Sequence, residues 1–343
     1  MIKGFQMLFM SALAALCPLK AQTCTQADTA LPAVMQALGQ GNVSGAEATV
    51  LELPAGQRNC PSAYLALGRI EATRGRIEAA ARSFEAYVRA RPDDPTGRVD
   101  LARTQLLAGR PAEARRNAEA AASRTEDPSM LAAAAQILQS VGAAGEAESA
   151  LLRAVELRPE ERTLFQLGVF YDGRQQHQKA EAAFRRVLHL NPNNAQALDY
   201  LGLSLGPQGR MKEAEEAFLQ GLAVNRGPSF DAFLPYNYAR LLAKLNRPKE
   251  ALDHLNDAAE LAPDTRAILY ERAKVLAGLG RGEAARSDAE KALALADPAN
   301  VVVDSQVYYL LVRICRELGD AAAASRYADR ARKSPAARNT AGR

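Results

Sequence analysis

One set of small and apolar residues recurs along this chain with a period of 34 positions. Nothing else restricts the fold as tightly, because a period of that length marks a stack of similar units that share one continuous core. The clearest copy, 161–194, holds Leu164, Leu167, Gly168, Tyr171, Ala180, Phe184, Val187 and Pro192. The copy that starts at Pro61 places Tyr64, Leu67, Gly68, Ala80, Phe84, Tyr87 and Pro92 in the same register. A third, from Ala195, carries Leu198, Leu201, Gly202, Ala214 and Phe218.

Weaker copies fall in the same frame. They bring the expected units to 27–60, 61–94, 95–127, 128–160, 161–194, 195–228, 232–265, 266–299 and 305–338. The first keeps only Ala33, Ala37 and Ala46 of the pattern, and short insertions are expected at 229–231 and 300–304. Apolar residues make up 48% of the chain and aromatics only 6%, so the core is mostly alanine and leucine. Alanine and leucine favour helix, and β-branched residues are too few for a sheet protein.

The spacing resembles the tetratricopeptide repeat family. In that family each unit is a helical hairpin, which implies an all-α, right-handed α-α superhelix, here of about nine hairpins. Leu164, Leu167, Tyr171 and Phe184 recur at helical intervals and so share a buried stripe. Gly168 or Ala273 against Ala180 or Ala285 is expected to let the two helices approach. Gly109-Arg110, Gly280-Arg281 and Gly319-Asp320 mark turns between helices. Pro92, Pro159, Pro192 and Pro263 close second helices.

Residues 1–21 read as an export signal. Lys3 opens it, an uncharged apolar run follows from Met7 to Leu16, and Ala21 stands before Gln22 as a cleavage point. The run is half of the roughly 20 residues that cross a bilayer. An uncleaved amphiphilic anchor is the alternative; lipid attachment at Cys17 is disfavoured by the bulky Leu16 before it. An exported chain, periplasmic or extracellular, follows. The expected tail, 339–343, is small, polar and basic and is expected to fray.

Outside the leader three cysteines remain, Cys24, Cys60 and Cys315. Cys24 precedes the first helix of the opening unit and Cys60 is placed just after its second. Antiparallel helices bring such ends together, so Cys24 and Cys60 are candidates for a disulfide in an oxidising compartment, with two unpaired thiols the alternative. Cys315 takes the offset of Tyr171 and is expected to be a buried, inert thiol.

Catalytic signals are weak. Gly202-Leu203-Ser204-Leu205-Gly206 spells the G-x-S-x-G elbow of serine hydrolases, but that elbow joins a strand to a helix, and here it falls within a first helix. His177, His189 and His254 lack metal-ligand spacing. Gly278 to Gly282 sits at an inter-helix turn without the strand a phosphate loop requires. Asn42-Val43-Ser44 fits a glycosylation sequon, which is frequent by chance. No catalysis, metal or cofactor is expected. A net charge of +4 over 343 residues is too even for a nucleic-acid coat protein.

In the family resembled, first helices line a concave groove, with offsets 2, 5, 9, 12 and 13 turned to a ligand. Counting each unit's first residue as 1, the last three units carry Tyr236, Tyr270 and Tyr309 at offset 5 and Arg240, Lys274 and Arg313 at offset 9. Each tyrosine thus has a cation one helical turn on. Phe233 and Arg316 extend that surface. The alternative is tyrosines that pack against the next unit and cations that are only solvated. Tyrosine offers contact area and arginine forks onto carboxylates, so an acidic, partly extended peptide is the expected partner. The lysine and asparagine that let some family members clamp a C-terminal carboxylate, at offsets 5 and 9 of an early unit, are absent. The expected function is a non-catalytic protein-binding scaffold, the alternative a membrane-tethered envelope assembly factor.

Overall fold

The computed structural model describes residues 24–225, 231–297 and 301–334. The expected leader, 1–21, the expected tail, and positions 229, 230 and 300 of the two insertions lie outside these residues. The described residues form eighteen α-helices and one 3-10 turn, with no strand. They divide into two compact units, up to Ala150 and from Leu151 onward.

The first unit runs α1 (Thr25–Gly39), α2 (Val43–Leu51), α3 (Pro61–Thr73), α4 (Ile77–Ala90), α5 (Pro95–Leu107), α6 (Pro111–Arg124) and α7 (Pro128–Ser140) into α8 (Ala144–Leu157). Proline stands at the first turn of α3, α5, α6 and α7, where its missing N–H has no helical partner to lose. Asp94 and Asp127 cap α5 and α7, accepting from the Thr96 and Ser129 amides at 2.9 and 2.8 Å.

The second unit continues with α9 (Glu161–Asp172), α10 (His177–Leu190), α11 (Ala195–Leu205), α12 (Met211–Val224), α13 (Phe233–Lys244) and α14 (Pro248–Leu261). It ends with α15 (Arg266–Gly278), α16 (Gly282–Ala294), α17 (Asp304–Glu317) and α18 (Ala321–Lys333). Within each unit consecutive helices pack as antiparallel hairpins, and each second helix also packs on the first helix of the next hairpin. Gly109, Gly280 and Gly319 take φ of +71°, +74° and +77° at the hairpin turns, the left-handed conformation that favours glycine.

The close approach within a hairpin differs from the sequence expectation. A Cβ built on Gly168 falls 2.5 Å from the Phe184 ring, and one on Gly202 falls 2.6 Å from Phe218. Gly68 stands in the same relation to Phe84. The glycine therefore makes room for the phenylalanine one turn beyond the alanine, and Ala180 is fully buried beside it. A flat ring on the second helix needs more depth than a methyl group, so it takes the missing side chain's place.

Cys24 and Cys60 are joined by a disulfide, with Cα atoms 5.7 Å apart. They are the N-caps of α1 and α3. Cys60 does not directly follow α2, which ends at Leu51; a connection through Pro54 and Gln57 intervenes, so the bond ties the starts of two successive first helices. Cys315 is a buried free thiol in α17, and burial pushes its pKa up.

Candidate functional site

The eight residues singled out in sequence lie on α13, α15 and α17, the last three first helices. Their exposure is graded. Tyr236 is only 7% exposed, so this ring presents less surface than its offset implied. The Phe233 edge meets it at 6.0 Å between centroids and the Arg240 guanidinium lies 5.5 Å from its centre. Burial pushes the Tyr236 phenol up, and the Arg240 charge partly offsets that. Tyr270 is half-buried, with the Lys274 ammonium 5.6 Å from its ring. Tyr309 is 57% exposed, because no described hairpin follows α18 to cover it. Phe233, Arg240, Lys274, Arg313 and Arg316 are all exposed.

The cations differ in how far they are neutralised. Lys274 donates to Glu271 at 2.8 Å, and Arg313 stands 3.8 Å from Glu317. Arg240 and Lys244, one turn apart on α13, have no carboxylate within ion-pair distance among the described residues. In the first unit the equivalent Arg69 pairs with Asp100 at 2.6 Å, and Arg103 sits 4.0 Å from the same carboxylate. Among the cations at offset 9, Arg240 is thus the one that no described carboxylate neutralises.

Two recesses open beside these cations. One, of about 160 Å³, is lined by Leu203, Met211, Phe218, Asn237 and Leu241 together with Arg240 and Lys244. The other, of about 470 Å³, is lined by Arg240, Ala243, Lys244, Asn246, Glu271 and Lys274. Lys244 and Asn237 were not among the residues singled out. Lys244 occupies offset 13, a groove position in the family, so its signal was present in the spacing. Nothing in the pattern marked Asn237, whose amide reaches the buried Asp199 carboxylate at 3.1 and 3.0 Å.

Ser204 is fully buried in α11 and donates to the Tyr200 carbonyl at 2.8 Å, so it is an interior helix residue and no exposed elbow. Asn42 caps α2 by accepting from the Gly45 amide at 2.9 Å. Among the described residues no three His, Cys, Asp or Glu side chains converge to hold a metal, and no helix is long and apolar enough to cross a membrane.

Residues 78–298 match the tetratricopeptide repeat family, and a second tetratricopeptide repeat pattern matches 31–95. The chain belongs to that family. A 95-residue stretch is 33% identical to human tetratricopeptide repeat protein 13, covering 28% of this chain and 11% of that protein. The chain thus spans only a small part of that relative. A crystal structure of a tetratricopeptide repeat protein from Parabacteroides merdae superposes with a TM-score of 0.58 at 19% identity, over 74% of this chain and 98% of the other. PilW, titled a widely conserved type IV pilus biogenesis factor, gives 0.53 at 20% identity over 60% and 92%. At such identities these structures share the fold alone. As a tetratricopeptide repeat protein the chain is a repeat scaffold of the protein–protein interaction type.

Proposed function

We propose that the chain is an exported, non-catalytic scaffold that holds a polypeptide partner along the first helices α13, α15 and α17. The observation that carries this reading is the unneutralised pair Arg240 and Lys244, set between two recesses and flanked by Lys274 and Arg313. Exposed cations beside aromatic rings and apolar recesses suit an acidic, partly extended peptide, because charge attracts it and the rings supply contact area. Binding then needs no reaction: each hairpin adds a few contacts to a preformed surface. Replacing Arg240, Lys274 and Arg313 together by glutamate, followed by partner capture in intact cells, tests this. Loss of the captured polypeptide is expected; its undiminished recovery would overturn the reading.

A second reading rests on the apolar run from Met7 to Leu16. If that segment is retained, the same groove works at a membrane surface in envelope assembly. Mass spectrometry of the cellular protein separates the two: a chain that starts at Gln22 is released, and one that starts at Met1 is tethered.

A further inference from the structure

The two recesses beside Arg240 are built from the same repeat positions, one hairpin apart. Leu203, Met211 and Arg240 border the first, at offsets 9 and 17 of one unit and 9 of the next. Arg240, Pro248 and Lys274 border the second at those same offsets, one unit further on. Their chemistry is not the same. Leu203, Met211, Phe218 and Leu241 give the first a mostly apolar lining, which Asn237 and the shared Arg240 and Lys244 complete. The second is ringed by Arg240, Lys244 and Lys274, with Glu271 the one opposing carboxylate in its lining.

We infer that this pair of register-equivalent recesses reads a two-point motif in an extended partner segment: a large apolar side chain in the first and an Asp or Glu in the second. The inference rests on the scaffold reading and names its partner's chemistry. The first helices α11, α13 and α15 pack in succession. Packed helix axes lie about 8–10 Å apart, and an extended chain advances about 3.3 Å per residue, so the two points stand about three residues apart. The space of about 160 Å³ accommodates a leucine-sized side chain. A carboxylate arriving in the second recess meets Arg240 and Lys244, which no described acid neutralises, and competes with Glu271 for Lys274. Like charge in that recess excludes a lysine or arginine at the same point.

Selection of a displayed library of random dodecapeptides on the full chain tests the motif. The retained pool is expected to carry an apolar residue and an acid three positions apart, in either order, enriched about tenfold over other separations. Two variants at partly or fully exposed positions tell the points apart, Met211 lining the first recess alone and Arg240 and Lys244 supplying the charge shared by both. Arg240→Glu/Lys244→Glu should remove the preference for acid, and Met211→Glu should remove the preference for the apolar residue while keeping the acid. Far-ultraviolet circular dichroism confirms that each variant retains its helices. Peptides that the charge-reversed variant loses, but that show no fixed separation, would overturn the motif and leave the scaffold reading standing. A retained pool indifferent to both variants would overturn the two together.

Discussion

The carboxylate of Asp199 on α11 accepts from a single nitrogen, the Asn237 amide on α13, through both of its oxygens, at 3.1 and 3.0 Å. This acid is 5% exposed and links two successive first helices beneath the apolar recess. Burial pushes its pKa up to about 7; the Asn237 hydrogen bond opposes the shift, and the charges of Asp231 and Asp172 add to it.

A folded-state value raised above the ordinary ~3.9 of an aspartate favours the protonated form in the native state. The contribution is fully present below about pH 4 and is lost as pH climbs through 7. The second unit should therefore withstand denaturant better at pH 5 than at pH 8.5. Asp199→Asn mimics the protonated acid, so it should flatten that dependence and stabilise at pH 8.5 by on the order of 2 kcal/mol. Urea titration followed at 222 nm measures both. Parallel pH profiles for the two proteins would assign the dependence to other groups.

Glycine at the hairpin crossing is a steric requirement. Gly168→Ala puts a methyl group where the Phe184 ring already lies, 2.5 Å from the nearest ring carbon. The expected cost is about 1–3 kcal/mol despite alanine's better helix propensity. Gly145→Ala on α8 meets no atom within 4 Å and serves as the control, with a neutral or stabilising outcome. Equal effects from the two substitutions would remove the steric explanation.

The disulfide should act locally. In a stack whose units contact only their neighbours, strain or release at one end travels poorly. Cys60→Ser is expected to destabilise the opening hairpin by about 2–4 kcal/mol. Hydrogen exchange should then speed up in α1 and α2 and stay unchanged in α15 to α18. Uniform acceleration along the chain would contradict a local clamp.

Successive hairpins of the second unit are also tied at their turns. Arg210 reaches Glu181 at 2.6 Å, Arg247 reaches Glu215 at 2.5 Å, and the last pair has its charges exchanged, with Arg286 donating to Asp320 at 3.2 Å. These partly exposed pairs are each worth about 0.2–1 kcal/mol, and salt screens them. Arg247→Glu should lower stability by about that amount or slightly more, and adding Glu215→Arg should restore most of it. A double variant no better than the single one would show that the pair contributes nothing.

The hairpin starts were legible because proline and glycine act locally: Pro61, Pro95 and Pro128 each open a helix, and Gly280 turns one. The periodicity likewise located the first helices to within two residues. Depth was not legible. Offset 5 says which helix face a side chain occupies, but not how far the neighbouring hairpin advances over it, so Tyr236 and Tyr309 share an offset at 7% and 57% exposure. Nor does spacing show which cations find partners. Arg69 and Arg240 share offset 9, yet only Arg69 meets an acid: Asp100 on the next first helix turns to Arg69, whereas Glu271, at the same offset on α15, pairs with Lys274 instead. The Asp199–Asn237 link escaped for the same reason: both residues are unremarkable in their own units and acquire meaning only where α11 meets α13.

Site-specific photo-crosslinking in living cells tests the groove most directly. A photoreactive residue replaces Tyr309 on the α17 surface in one strain and Leu219, 49% exposed on the second helix α12, in another. A scaffold that works through its first helices predicts one dominant polypeptide adduct from position 309, abolished by the Arg240, Lys274 and Arg313 reversals, and none from position 219. The same adduct from both positions, or one that survives the reversals, would contradict a partner held in this groove.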